Sequence, residues 1–460
     1  MKTTGSQPLA LTSPSVGGPR SSAEAARRKL RIEYWYSLFA LALLAGAMMP
    51  LFTDLTGSHN ESFTDSNPYK LVATLGTFVI ALALLVRRFE ATVRVLSNNL
   101  LIVLVFTLPI VSLLWSVDPG VTFRRSLAYF LTGAFCIYLR ITFTPDALMR
   151  RLMIVLLVAG IFSFAYVFAF PAYGIHHDVV NPGAWKGVYG HKNALGRICS
   201  LSVLIAFFFA PKTRSDKYLR LGVIVVSLIL LLFSQSRTNW LILLASSCII
   251  PLLRFLRNGR VSLGIRLTIV IAAGAALFFM ITVGGEMLLH ALGRDTSFSG
   301  RTTLWRGVNT IVEDNYLAFG AGYGAFFTEA GAIYKLAPYL SYWSMIPDHA
   351  HSGYINTFAD LGMLGVTVLT LFLASTIIFL IRKIVTEPKS NVWSAYLVIV
   401  FAVLINNFSE TVAFRHSDIA WVLVCMAHLY ASPTRKARTA VSAPGAAGRF
   451  NGSSREHVAS

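Results

Sequence analysis

Charge is what this chain has least of. Of 460 residues, 13% are Asp, Glu, Lys or Arg, against roughly 25% in an ordinary soluble domain. Acids are the scarcer sign: 21 Asp and Glu stand against 40 Lys and Arg, a formal charge of +19. So little charge excludes an ordinary water-soluble enzyme, and an apolar content of 55% excludes a disordered chain. Cysteine is nearly absent. Cys136, Cys199, Cys248 and Cys425 fall inside apolar runs without Cys-x-x-Cys spacing, which speaks against a disulfide framework or a zinc site and for buried thiols. No internal repeat is visible. What the chain does have is long apolar runs.

Twelve runs lie near 36–53, 70–86, 100–116, 123–139, 152–170, 195–210, 219–235, 238–253, 263–284, 354–381, 392–407 and 412–430. Each is about what a hydrocarbon core of roughly 30 Å demands, some at the short end. They predict an all-α polytopic membrane domain over 31–431, with about twelve transmembrane helices. The flanks, 1–30 and 432–460, are small-residue and basic, and read as disordered cytoplasmic tails. Arg27, Arg28, Lys29 and Arg31 mimic a signal peptide, but the many later runs make the first a retained anchor. Only Ser236 and Arg237 divide the seventh and eighth runs, so a tight hairpin is expected there. The tenth run is overlong, and its first turns are expected outside the bilayer.

Basic residues set the orientation. Arg87, Arg88 and Arg94 follow the second run, Arg140, Arg150 and Arg151 the fourth, and Lys212, Arg214, Lys217 and Arg220 the sixth. Arg254, Arg257, Arg260 and Arg266 follow the eighth, and Arg382, Lys383 and Lys389 the tenth. The first odd loop carries Asp54, Glu61 and Asp65 and no base. Even loops and both termini are therefore expected in the cytoplasm, and one long outer loop, about 285–352, between the ninth and tenth runs. The excess charge is mostly topogenic, which removes a nucleic-acid partner. A reporter fused after Thr64 or Tyr334 should read outside the cytoplasm, and one after Arg214 or Lys389 inside. A cytoplasmic signal at Tyr334 would put His351 in the wrong compartment.

A minority of bases runs against that trend. Lys186, Lys192, Arg197, Arg237, Arg294, Arg301, Arg306 and Arg415 sit at the outer face, where topology does not require them. Cations held there suit a phosphate-bearing lipid, since arginine grips phosphate oxygens through two parallel bonds. Pro347-Asp348-His349-Ala350-His351 precedes the tenth run. His-x-His with an acid can ligate a metal, and a single imidazole can equally serve as general base or orient a hydroxyl. His176, His177 and Asp178 form a weaker metal candidate. Gly320-Ala321-Gly322-Tyr323-Gly324 lacks the Lys-Ser/Thr ending of a phosphate loop and reads as a flexible turn. The long loop is rich in aromatics, among them Trp305, Tyr316, Phe319, Phe326, Phe327, Tyr342 and Trp343, which suit an interfacial belt and a sugar groove equally.

Four segments together resemble the O-antigen ligase/Wzy polymerase superfamily. They are Gly187-Val188-Tyr189-Gly190-His191-Lys192-Asn193-Ala194-Leu195-Gly196, Ser234-Gln235-Ser236-Arg237-Thr238, and Ser299-Gly300-Arg301-Thr302-Thr303-Leu304-Trp305, then His351-Ser352 with Gly362-Met363-Leu364-Gly365-Val366. Ser352 stands where the family commonly has Asn. The Gly320–Phe327 and His349–Asn356 stretches look most like ExoQ-type exopolysaccharide polymerases. The resemblance implies a GT-C-like, inverting, metal-independent membrane glycosyltransferase without cofactors, at the periplasmic face of the bacterial inner membrane. Its donor, and for a polymerase its acceptor, would be an undecaprenyl-diphosphate-linked oligosaccharide. A chain-length regulator and export machinery would be partners besides membrane lipids. Arg237 and Arg301 match the family's diphosphate-binding arginines and His351 its essential histidine; Lys192 and Arg197 follow less firmly, with Asn193, Arg306, Arg415 and His349 as supporting candidates. An O-antigen ligase acting on lipid A-core carries the same motifs. A transporter is the rival class, but the first nine runs have essentially no interior charge, whereas transporters place such groups near the midplane.

Overall fold

The structure is a computed structural model that describes residues 19–56, 68–178, 181–256, 301–340 and 347–433, with isolated positions between 261 and 272. The ninth expected run, the start of the long loop with Arg294, the Thr64 fusion point, Arg257, Arg260, Tyr342 and Trp343 lie outside the described residues, as do 1–18 and 434–460.

Local sequence signals start the helices. Asp118 accepts a hydrogen bond from the Val121 amide and Thr144 from the Ala147 amide, each followed by a proline whose missing N–H costs nothing at a first helical position. Thr213 and Asp216 cap each other reciprocally. The described helices are α1 (Pro19–Leu44), α2 (Met49–Thr56), α3 (Pro68–Arg87), α4 (Phe89–Ser97), α5 (Leu100–Val111), α6 (Pro119–Thr142), α7 (Pro145–Ala169) and α8 (Pro171–Gly174). Then come α9 (Lys192–Phe208), α10 (Arg214–Phe233), α11 (Arg237–Ser247), α12 (Ile249–Leu256), α13 (Arg301–Asn315), α14 (Gly353–Thr386), α15 (Val392–Asn406) and α16 (Ile419–Ala431). Among the described residues the only β feature is an isolated bridge between Ile175 and Trp185.

Every expected run except the ninth carries a helix, but the twelfth does so only from Ile419, its first part, 412–418, being a loop that ends at the capping Asp418. By length and hydropathy alone, α7 and α14 can each cross a membrane, and α3 with α4 becomes a third if that pair, bent by 96°, is one span. α1 begins at Pro19, inside the stretch expected as a tail. α14 has 34 residues, about 51 Å of helix, and breaks at Gly362 (φ 60°), so its overlength is resolved as a short first segment and a long second one.

α16 is the hub. All 13 of its residues are buried, as an all-round apolar helix requires, and it packs against α5, α6, α14 and α15. Outward faces are apolar instead: Phe162, Leu232, Leu241 and Leu371 are each more than half exposed, which fits lipid contact. Three cysteines are buried as expected, but Cys248, at the end of α11, faces outward.

Polar contacts separate into two ends. At one, Arg88 grips Glu33 through two bonds (2.7 and 2.8 Å), Arg150 pairs with Asp216 (2.8 Å), and Arg140 donates to the Leu429 carbonyl (2.9 Å). These are the expected cytoplasmic loops. At the other end the glycine stretch is no flexible turn. Gly320 (φ 73°) crosses the α14 break so closely that a Cβ would sit 2.3 Å from the Asp360 carbonyl carbon. The Ala321 and Gly322 amides donate to the Ala359 and Asp360 carbonyls, and Met363 and Leu364 donate back to Leu317 and Ala318. Two backbones share one groove, which only glycine on both sides permits.

Candidate functional site

This second end, expected from the charge pattern to face outward, gathers helix N-termini, each held by polar side chains from a distant segment. His176 is 2% exposed; its Nε2 accepts from the Lys192 amide (3.1 Å), so its proton sits on Nδ1, toward Asp178 (2.8 Å). Burial lowers its pKa. His176 and Asp178 thus anchor the start of α9, where His191 accepts from the Asn193 amide (3.1 Å). They do not form the metal group weighed from sequence.

Asn193 ties α9 to two further segments. Ser236 Oγ donates to Asn193 Oδ1 (3.0 Å) and Asn239 Nδ2 to its carbonyl (3.1 Å), which sets the start of α11 beside α9. Asn193 Nδ2 in turn reaches Glu410 Oε1 (3.4 Å), in the loop after α15. Arg237 is thereby presented at the first position of α11, exposed and without a hydrogen-bond or ion-pair partner among the described residues. Arg301, at the first position of α13, donates to the Ser409 carbonyl (2.8 Å), next to Glu410. Trp305 Nε1 donates to the Ala350 carbonyl (2.7 Å) and the Gly353 amide to the Asn407 carbonyl (2.8 Å), pinning the histidine segment between α13 and that loop. N-termini carry partial positive charge, so Lys192, Arg237 and Arg301 add to a field already suited to anions.

The histidines lie at the centre of this cluster. Their rings meet at 44° with centroids 4.1 Å apart, and ligand atoms of His349, His351 and Glu410 all fall within 4.8 Å of one another. Burial, then the neighbouring His349 and Arg301, push the His351 imidazole down to about 3, so it is neutral at any physiological pH. Asp348 Oδ1 bonds His349 Nδ1 at 2.6 Å, and that bond holds its carboxyl at about 2. Non-glycine residues at positive φ also gather here. Gln235, His351, Phe414 and Ser417, the only ones among the described residues, all lie at this end (φ 49–55°). Such strain costs of order 1–3 kcal/mol each and persists where the surroundings dictate the conformation.

Not every residue expected from sequence joins the cluster. Arg197 lies a turn inside α9, 14% exposed, and pairs with Asp418 (3.1 Å), which itself caps α16. That pairing removes it from the groups presented to an outer ligand. Arg306 is exposed on α13 and makes no contact with the histidines among the described residues. Arg415 donates to the Thr411 carbonyl (3.3 Å) and lies near enough to Asp348 to lower its pKa. Lys192 is half-buried beside His176. The sequence reading missed Glu410. Its signal was an acid in the polar run Asn406-Asn407-Phe408-Ser409-Glu410 closing an otherwise apolar helix.

Residues 222–370 match the family model described as O-antigen ligase. The exopolysaccharide production protein ExoQ of Rhizobium meliloti (strain 1021) is 26% identical over 314 residues, 64% of this chain and 69% of that protein. The likeness to the O-antigen ligase/Wzy superfamily, and within it to ExoQ, holds, and with it membrane residence. Arg237, Arg301 and His351 lie inside the matched region; Lys192, Asn193, Glu410 and Arg415 lie outside it.

Proposed function

We propose that the protein polymerises undecaprenyl-diphosphate-linked oligosaccharide repeats into exopolysaccharide by inverting glycosyl transfer. The reaction takes place at the periplasmic face of the inner membrane, on a twelve-span, GT-C-like domain with both termini in the cytoplasm. One observation carries this reading: Arg301, at a helix N-terminus, stands beside a neutral imidazole and a carboxylate in one strained cluster, while Arg237 begins a helix tied to the same carboxylate through Asn193.

The chemistry follows from the leaving group. Arg237 and Arg301 hold the donor diphosphate and stabilise the charge it gains as the anomeric C–O bond breaks. The acceptor hydroxyl oxygen attacks that carbon from the opposite face, inverting it, and the electron pair of the broken bond leaves on undecaprenyl diphosphate. The hydroxyl proton passes to His351, with Glu410 within reach to stabilise the imidazolium. A diphosphate on Arg301 also offsets part of the repulsion that holds the imidazole down, so basicity rises once the donor is bound. A chain-length regulator and export machinery would then take the growing polymer.

His349, His351 and Glu410 have ligand types that could hold a metal. Arg301 argues for a metal-free site, because its charge already disfavours a proton on His351 and would oppose a dication more strongly. Purified protein given lipid-linked repeats should therefore release undecaprenyl diphosphate and lengthen glycan at an undiminished rate in EDTA. Loss restored by a divalent ion would make the trio a metal site. In a deletion strain long exopolysaccharide should vanish while lipopolysaccharide banding stays intact; the reverse would make the protein a ligase acting on lipid A-core.

A further inference from the structure

The polar side chains that join α9, α11 and the loop after α15 form a hydrogen-bonded chain whose direction is fixed. It starts at the Asn193 backbone carbonyl, which can only accept. Asn239, 2% exposed, therefore presents its Nδ2 there (3.1 Å), and the same amino group donates to Ser236 Oγ (2.8 Å). With that oxygen accepting, the buried Ser236 hydroxyl gives its own proton to Asn193 Oδ1 (3.0 Å). The Asn193 amide is thereby oriented, its oxygen toward Ser236 and its Nδ2 toward Glu410 Oε1 (3.4 Å). Turning over either asparagine amide would set two acceptors against each other. The crossing is also tight, since a Cβ at Gly196, one turn along α9, would lie 2.8 Å from both Asn239 Nδ2 and Ser236 Cβ.

Glu410 depends on this chain. Among the described residues, Asn193 is the one hydrogen-bond partner of its carboxylate, and it offers donors only. The rest of the loop is braced through its backbone. The Asn407 carbonyl accepts from the Gly353 amide, Asn407 Oδ1 from the Val412 and Ala413 amides, and the Ser409 carbonyl from Arg301. Those bonds shape the loop, and none of them aims the Glu410 side chain. The link to Asn193 is the longest of the four in the chain, so the carboxylate is steered rather than locked.

We infer that Asn193 is a positioning residue that acts through Glu410, aiming its carboxylate to stabilise the imidazolium formed on His351. The inference rests on the proposed glycosyl transfer. A proton arriving on His351 creates positive charge beside Arg301, and a carboxylate offsets that charge only if it is held toward the ring. The same residue holds the start of α11, but by a separable bond. Asn193→Ala deletes the side-chain links to Ser236 and Glu410 and leaves the backbone carbonyl to Asn239, so Arg237 keeps its place.

The test is a double-mutant cycle on purified protein given lipid-linked repeats. Asn193→Ala should lower kcat about three- to thirty-fold, the worth of one hydrogen bond to a charged group, with the donor KM unchanged. Glu410→Gln should lower kcat at least as far. Adding Asn193→Ala to Glu410→Gln should cost nothing further, because no charge is left to steer. Hydrogen exchange over 406–413, followed in lipid nanodiscs, should be the same in Asn193→Ala as in the wild type, since the backbone braces remain. Wild-type kcat in Asn193→Ala, a raised donor KM, losses that multiply in the double variant, or faster exchange in that segment would each overturn the assignment. If the deletion strain keeps long polymer and loses lipopolysaccharide banding, the polymerase reading fails, and the same cycle read on ligation decides the role of Asn193.

Discussion

His351→Ala should leave single lipid-linked repeats accumulating and little or no long polymer, a loss of about 10²–10⁴ in rate. The reason is position. The residue is fixed at φ 49°, its ring lies against His349, and both Arg301 and Glu410 are at hand. His349→Ala should keep substantial activity, because its imidazole is engaged by Asp348. The pH profile separates a chemical role from a structural one. A lowered pKa means the neutral, proton-accepting form persists as pH falls, so kcat/KM should pass through 6.5 without a step and fall only toward about 3. A half-loss near 6.5 in the wild type, or His349→Ala as inactive as His351→Ala, would show that His351 is not the group described.

Arg301→Ala and Arg237→Ala should each lower polymer formation by about 10²–10³, with the protein still inserted, as expected for removal of a donor to developing charge. Arg→Lys should rescue only in part, since an ammonium lacks the planar fork. Arg94→Ala, exposed on α4 at the other end of the bundle, is the control. The two sites should differ in one respect. Arg301 already donates to the Ser409 carbonyl and so also braces the loop carrying Glu410, whereas Arg237 has no such duty. Added inorganic pyrophosphate should therefore compete with donor in the wild type and lose that effect most cleanly in Arg237→Ala. Equal inhibition in the variant would detach Arg237 from the diphosphate.

What could be read from the order of residues depended on whether the cause was local. The helices were legible because apolar runs bounded by Pro, Thr and Asp caps are local facts, and Arg237 because only it and Ser236 divide two such runs, at what proves a three-residue turn, Ser234–Ser236. Glu410 was not legible: what gives it a place is Asn193, 217 positions away. Arg197 was misplaced for the mirror reason, since Asp418 claims it from across the bundle. The glycine stretch looked loose because the chain it crosses, at Gly362, comes some forty residues later, and rigidity belongs to the pair.

The burial of α16 on every side bears on how such a chain can be made. This helix follows in the chain the four helices that surround it, so they enter the bilayer before their common partner exists. Until it arrives, the surfaces of α5, α6, α14 and α15 that close on it must face lipid or one another. Polar groups waiting there include Thr376, whose hydroxyl meets His428 (2.9 Å), and Tyr129, whose hydroxyl accepts from Trp421 (2.9 Å). Packing of these helices thus waits on an insertion into a prepared slot, and Asp418, at the head of the inserted helix, brings its pairing with Arg197 only then.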